Sequence, residues 1–436
     1  MQAQTQEMSY WQQEVGAAAP LASSEPPRQA DVVIIGGGLA GVSAAAAILE
    51  RQPGASVVLL EAHYIGYGAS GRNGGLLSPL PAPIWLLTAD RNEDHAWATR
   101  TLNKKLHTLA TRLAETVPGG EIRPCGLRLQ AMGLLSTSGV GKVAAVLDHV
   151  QIGHRLAPDR QRGGKPMLEI QAYTVHPYRL VRALAARAIE RGARICEHAA
   201  VQAIEESQSG ARIRLAGGRQ LNAGRVLVCT NGYTGSIDAP SPPRAKVVRN
   251  YMVATEPLDA EAVARLGDGQ TFMVELNKSY IFYRLHRGRL IYGGIETFFR
   301  SPKSDFEVPA AVRTALEKHL AASIPWRASI SIATAWGGAF HSSATDLPII
   351  RRAPGASAIV YNIGYGGTGV ALTQLFAGHA AALALDLPLL DGDDARLGEI
   401  MGNTRLPIGG LLRLGSSVAW DVVTGRASAA ARNSGA

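Results

Sequence analysis

Apolar and polar positions change period several times along this chain. Val32, Val33, Ile34 and Ile35 form an apolar, β-branched run, the mark of a strand buried on both faces. Gly36, Gly38 and Gly41 follow at G-x-G-x-x-G spacing, and an Ala-rich stretch over 44–49 carries high helix propensity. A second apolar run over 57–60 ends at Glu61. The pattern predicts strand, glycine turn, helix, strand. Further on, leucines at 102, 106, 109 and 113 place a helix over 92–120, with a strand over 126–135 and a helix over 138–154. His176 precedes a proline and is therefore extended, with a capping or packing role; a helix runs from Pro177 to near Gly192. Alternation over 194–204 rejoins the sheet, and 225–229 is another buried strand. Pro240, Pro242 and Pro243 mark a boundary. Period-two patterning over 247–294 predicts a mostly antiparallel sheet, followed by a helix over 307–323, a last apolar strand over 358–363 and, after the glycines at 364–369, a helix through 385.

The ends carry weaker patterns. Residues 1–30 read as a loose arm, with Tyr10 and Trp11 able to dock on the body. Residues 406–423 read as a C-terminal packing helix and the last ten as disordered.

The glycine spacing has a physical reading. Gly36 lets the chain turn off the strand, Gly38 lets a pyrophosphate approach the backbone, and Gly41 lets helix and strand pack closely. The helix N-terminus adds free N–H groups and the positive dipole end, worth roughly 0.3–1 kcal/mol per charge where exposed. Glu61 stands 61 − 41 = 20 residues past the last glycine, where an acid accepts ribose hydroxyls and repels a 2′-phosphate. This is a dinucleotide site. After Glu61, glycines at 66, 68, 71, 74 and 75 crowd around Ser70, Arg72 and Asn73. Ordering such a loop costs about 1–2 kcal/mol of backbone entropy per residue, which suits a place where a flat ligand touches main chain.

Gly36-Gly-Gly-Leu-Ala-Gly41, Glu61 and Gly68-Ala-Ser-Gly-Arg-Asn-Gly-Gly75 together resemble the D-amino acid oxidase-like FAD-dependent oxidoreductases, nearest to the gamma-glutamylputrescine oxidase-like branch. The resemblance spans about 31–385. Gly364-Tyr-Gly-Gly-Thr-Gly-Val370 is similar to the family segment whose helix N-terminus faces the flavin pyrimidine, where dipole and N–H groups stabilise negative charge on reduced flavin. The resemblance implies FAD contacts at Gly36, Gly38, Leu39, Ala40, Gly41, Glu61, Ala62, Gly68, Ala69, Ser70, Arg72, Asn73, Gly74 and Gly75. It adds Val201 on the adenine side, Thr230, and Gly366, Gly367, Thr368, Gly369 and Val370. The expected fold class is α/β (α+β): a Rossmann-like FAD-binding domain from 31–100, 170–240 and 355–390, interleaved with a mostly antiparallel substrate domain from 101–169 and 241–354. An arm (1–30) and a C-terminal helix and tail (391–436) flank them.

Substrate residues are sought on the predicted sheet. Tyr251, Tyr280, Tyr283 and Arg284 are candidates to face the substrate, and His341 to take the amine proton or orient the substrate. Trp336-Gly-Gly and Thr345-Asp-Leu-Pro348 resemble the family segment beside the flavin, with two departures. Phe340-His341 stands where the small-amino-acid oxidases place an Arg for the substrate carboxylate. None of Cys125, Cys196 or Cys229 lies where sarcosine-oxidase relatives attach flavin covalently, so the FAD is expected to be non-covalent.

Composition changes this picture little. Of 436 residues, 46% are hydrophobic and 18% charged, ordinary for a soluble enzyme. The net charge is +9, but the basic residues are scattered, so no nucleic-acid partner is expected. Three unpaired cysteines fit a reducing, cytoplasmic compartment, and no metal-ligand spacing occurs. There is no signal-peptide pattern and no uninterrupted apolar run of about 18–20 residues, so no integral membrane segment is expected. Ser70 lacks the glycine at position 72 that a nucleophile elbow needs, which removes a hydrolase. A disulfide reductase lacks its cysteine pair. What is left is an FAD-dependent oxidase of an amine or amino acid, with molecular oxygen as acceptor. The alternatives are a dehydrogenase feeding a quinone or electron-transfer protein, and a flavin-binding subunit without turnover.

Overall fold

The computed structural model describes residues 8–16, 21, 25–131, 137–159, 165–267, 269–276, 281–297, 306–324, 330–389 and 392–404. Two sheets organise the chain. In the first, five strands run parallel in the order Ala356–Ile363, Gln220–Val228, Gln29–Ile35, Val57–Leu60, Arg194–Cys196. Ile349–Ala353 adds an antiparallel edge. Parallel strands need both faces covered, and here they are. Val32, Ile34 and Leu59 pack under the helices Leu39–Arg51 and Pro177–Glu190. Val33, Ile35, Val58 and Leu60 pack under the hairpin Val201–Ser207/Gly210–Leu215. The fully buried Ala44 and Ala45 leave the first helix little bulk on its inner face, so it lies close to the sheet and to the helix Ala377–Leu385.

The second sheet has nine strands. Its main order is Ile332–Ser342, Lys246–Thr255, Arg289–Thr297, Ile281–His286, Thr271–Leu276, Arg123–Ala131, Lys165–Thr174, Leu76–Leu77, and His154–Asp159 pairs with Lys165–Thr174. Every pairing is antiparallel except that of Thr271–Leu276 with Arg123–Ala131. The helix Ala310–Ser323 covers part of one face through Val312, Leu316 and Leu320. The helix Glu93–Thr116 buries Leu102, Leu106, Leu109 and Leu113 in the core of the first sheet's helices.

Two expectations change. Residues 10–15 are not a loose arm. They form a helix closed by a capping box, with the Ser9 hydroxyl accepting from the Gln12 amide and the Gln12 side chain accepting from the Ser9 amide. Trp11 is fully buried; its Nε1 donates to the Asn73 carbonyl at 2.8 Å, and Ser9 Oγ donates to the Gly71 carbonyl at 2.8 Å. The N-terminal helix therefore clamps the glycine-rich loop. The helix expected through residue 385 breaks at Phe376 into Gly369–Leu375 and Ala377–Leu385, and the broken pair bends by 64°. Among the described residues no single helix is long and apolar enough to cross a membrane. That bent pair has the length and composition, but its residues are largely core. Residues 406–423, the last ten residues and Tyr280 lie outside the described residues.

Candidate functional site

One cavity of about 370 Å³ is lined from both sheets. Its floor begins at the first glycine turn. Gly36 has φ +113°, and a Cβ there would stand 2.8 Å from the Cys229 carbonyl oxygen, so only glycine makes this turn. Gly38 occupies the N-cap of Leu39–Arg51 and offers no capping side chain. Instead the Leu39 N–H donates to Ser70 Oγ at 2.8 Å, which draws the glycine-rich loop onto the helix end. The Glu61 carboxylate accepts from the Gly37 N–H at 2.7 Å and the His63 N–H at 2.9 Å. Burial pushes its carboxyl pKa up, and those N–H donors hold it down in part. With the Ala62 N–H also bonding it, the carboxylate keeps about one lone pair for a hydroxyl donor.

The second glycine turn reaches the same cavity. Gly366–Thr368 is a short 3-10 turn leading into the helix Gly369–Leu375, whose N-cap Thr368 makes no side-chain cap bond. Thr368 Oγ1 is buried without a partner on the cavity wall. Asn231 fixes this corner: its Oδ1 accepts from the Gly364 N–H at 3.1 Å and the His341 N–H at 3.3 Å. Two helix N-termini and an orphaned hydroxyl facing one space fit a long ligand with phosphate at one end and acceptor atoms at the other.

Most of the expected contact residues line this cavity: Gly36, Gly38, Leu39, Ala40, Glu61, Ala62, Gly68, Ala69, Ser70, Arg72, Asn73, Gly74, Val201, Thr230 and 366–370. Gly41 and Gly75 do not. A Cβ on Gly41 would sit 2.0 Å from the Gly36 carbonyl oxygen, so that glycine serves helix packing. The Gly75 N–H donates to Asn73 Oδ1 at 2.9 Å. Asn73 is largely spent on its own loop, its Nδ2 donating to the Ala69 and Ser70 carbonyls at 3.1 Å each. Arg72 is buried; its Nε donates to the Tyr67 carbonyl at 2.6 Å and its guanidinium carbon lies 3.6 Å from the Phe306 ring centroid.

Of the five substrate candidates Tyr280 lies outside the described residues, and the other four do not line the cavity. The second sheet presents Asn250, Met252, Phe272, Val274, Phe282, Glu296, Gly338 and Phe340 to the cavity. Side chains alternate along a strand, so Tyr251 and Tyr283, one position off, belong to the core under the helix Ala310–Ser323. Tyr251 OH meets Thr297 Oγ1 at 3.4 Å, and Tyr283 stacks on Tyr292. Arg284 shares the face of Phe282 but does not line the cavity; it is buried beyond it, donating from Nη2 to the Val175 carbonyl at 2.8 Å, with its guanidinium carbon 4.9 Å from the Trp11 ring centroid. His341 lies off the cavity wall with Nδ1 unpartnered, and burial lowers its pKa, away from the charged form. His176 caps its helix as expected, Nδ1 accepting from the Arg179 N–H at 3.2 Å. Cys229 borders the glycine turn with its thiol pushed up to about 12 by burial, so it offers no thiolate.

Glu296 was not anticipated. It pairs with Asn250 across the strands, and its carboxyl is raised to about 7 by burial, with the Asn250 side-chain hydrogen bond opposing and Asp346 reinforcing. The hidden signal was parity. A bulge between Tyr251 and Met252, opposite Gly294 (φ +123°), shifts the register, so Met252 pairs with Gly293 while Asn250 pairs with Glu296.

Residues 31–383 match the family profile described as FAD dependent oxidoreductase. The chain belongs to that family. FAD is its cofactor, and the two glycine turns with the helix N-termini beside them fit it. The chain is 29% identical over 408 residues to gamma-glutamylputrescine oxidoreductase of Escherichia coli, covering 89% of this chain and 90% of that protein. It is 28% identical over 388 residues to the probable oxidoreductase OrdL of Rhizobium meliloti, covering 83% and 86%. Among solved structures, glycine oxidase from Geobacillus kaustophilus superposes with TM-score 0.68 at 18% identity, covering 84% of this chain and 96% of that one. L-Proline dehydrogenase from P. horikoshii gives 0.67 at 16%, covering 87% and 100%. Both share this chain's fold.

Proposed function

We propose that the protein oxidises the C–N bond of an amine or amino acid to an imine and returns the electrons to molecular oxygen as hydrogen peroxide. The observation that carries this reading is that both glycine turns open into one cavity roofed by the second sheet. In this reading the sheet and helices drawn from 31–100, 170–240 and 355–390 hold the cofactor, and 101–169 with 241–354 hold the substrate. Gly36, Gly38 and the N-terminus of Leu39–Arg51 hold the pyrophosphate, Glu61 the ribose, and Val201 borders the adenine. The loop over 68–74 and Thr230 flank the molecule, and the N–H groups at 366–370 meet the flavin pyrimidine. Gly41 and Gly75 act through packing. Bound non-covalently, FAD supplies the hydride acceptor.

The protein supplies the surroundings. Met252, Phe272, Val274, Phe282 and Phe340 form an apolar roof that excludes water from the reacting carbon. The Gly366–Val370 N–H groups hold developing negative charge. The relative from E. coli is named for an amine, and the structural neighbours include both an oxidase and a dehydrogenase of amino acids. A dehydrogenase passing electrons to a quinone or electron-transfer protein is therefore the second reading. Three buried free cysteines support a cytoplasmic setting. The test is purification, the absorbance of bound flavin, and aerobic peroxide yield across polyamines, N-methyl amino acids and amino acids. Stoichiometric peroxide supports the oxidase. Turnover only with an artificial acceptor supports the dehydrogenase. Protein that is colourless and takes up no FAD removes both.

A further inference from the structure

We propose that Glu296 anchors the cationic nitrogen of the substrate, and that the site therefore selects amines without a carboxylate on the reacting carbon over α-amino acids. This rests on the reading of the cavity as the site of C–N oxidation. Among the described residues that the second sheet presents to the cavity, Glu296 is the one charged side chain. Its neighbours there are apolar, apart from Asn250, which hydrogen-bonds it. An acid in such a place is costly without a partner, and a cation entering the cavity supplies one.

The remaining charges fit this assignment. Asp346, from the turn after Ile332–Ser342, adds like charge and opposes ionisation until a cation arrives. Arg72 is the one Lys or Arg among the described residues that line the cavity. It is held by the Tyr67 carbonyl and by the Phe306 ring, and its Nη1 lies 3.5 Å from the Gly337 carbonyl. Glu61 and His63 line the glycine-turn end of the cavity. An α-carboxylate placed beside Glu296 would meet that acid, with the like charge of Asp346 behind it.

The probe is tert-butylammonium. It carries the charge but has no hydrogen on the carbon next to nitrogen, so it binds without being oxidised. Pivalate is its anionic counterpart. Calorimetry and the perturbation of the bound-flavin spectrum both report binding. Wild-type protein should bind tert-butylammonium and not pivalate, with affinity rising from pH 6 to pH 8 as the Glu296 carboxyl (about 7 when alone) ionises. Glu296→Gln should lose about 10- to 100-fold in affinity, the scale of a hydrogen bond to a charged group, and its pH dependence should flatten while flavin content is unchanged. Glu296→Asp should keep the pH dependence at reduced affinity, and it decides the matter if the Gln variant does not fold. Pivalate binding more tightly than tert-butylammonium, or an unaltered pH profile in Glu296→Gln, overturns the assignment. Protein without flavin would defeat the oxidase reading alone, because calorimetry on that protein still tests Glu296.

Discussion

Gly41→Ala puts the close packing of the first helix to the test. Gly41 is the third residue of Leu39–Arg51, and its added Cβ would lie 2.0 Å from the Gly36 carbonyl oxygen and 3.3 Å from Ile34 Cγ2. The Gly36 oxygen is backbone and cannot rotate aside. Gly36 is itself held at φ +113° against the Cys229 carbonyl. Relief has to come from the helix lifting by on the order of 1 Å. Two effects compete. Alanine is a better helix former than glycine by up to about 1 kcal/mol. Overpacking costs about 1–3 kcal/mol, and the displaced N–H groups no longer meet a phosphate at hydrogen-bond distance. Overpacking wins, so the variant should melt lower and bind FAD at least about tenfold more weakly, the equivalent of roughly 1.4 kcal/mol. The assay is quenching of free-flavin fluorescence on titration with apoprotein, beside thermal melts. Gly54→Ala is the control, since a Cβ there meets nothing within 4 Å. Wild-type flavin affinity and an unchanged melting temperature in Gly41→Ala would refute the reasoning.

The remaining predictions concern the clamp, its acid sensitivity and the candidates that do not line the cavity. Trp11→Ala removes a fully buried ring and its bond to the Asn73 carbonyl, and should cost about 3–5 kcal/mol in urea denaturation while loosening flavin binding. His176 is neutral in the fold, its pKa lowered to about 3 by burial, with the charge of Glu14 opposing that shift; unfolded, it protonates near 6.5. The unfolded state gains that proton first, so stability falls as pH drops from about 6.5 towards 3. His176→Asn keeps an acceptor for the Arg179 N–H and should make the pH dependence of the unfolding midpoint shallower over that window; an unchanged slope rejects the assignment. Glu14 behaves differently. Burial raises its pKa, but the hydrogen bond to His286 and the charges around it win and lower it to about 2, so its contribution is lost only as pH falls from about 4.5 to 2. Tyr251→Phe, Tyr283→Phe and His341→Gln should leave kcat/KM for a good amine substrate near wild type; a loss of a hundredfold or more in any of them would put that side chain back in the chemistry.

The cofactor side of the site was legible because its constraints are local. A strand that must turn within two residues, a helix end that must stay bare and an acid twenty residues on are all written at short range. The core strands over 32–35 and 57–60 read correctly for the same reason, being continuously apolar between two covered faces. The N-terminal helix was missed although its signal was present. Ser9-Tyr-Trp-Gln12 is a capping box, but six helical residues among prolines and alanines cannot be told from a loose segment until Trp11 finds its socket.

The expected substrate residues do not line the cavity, for a different reason. Tyrosines are conspicuous in a strand pattern, but which face they occupy is set by register, and a shift of one residue sends every side chain to the other side. Here Asn250 and Met252 point inward while Tyr251 between them does not, and the bulge at Gly294 reverses the parity of the neighbouring strand between Gly293 and Glu296. No count along the sequence contains that bulge. The two acids of the cavity show the contrast. Glu61 has its place fixed by the glycine turn that precedes it, and so could be assigned a ribose. Glu296 has its place fixed by a pairing with Asn250, 46 residues away. It could be assigned only when the sheet was in view, which is why the specificity of such an enzyme is less readable than its cofactor.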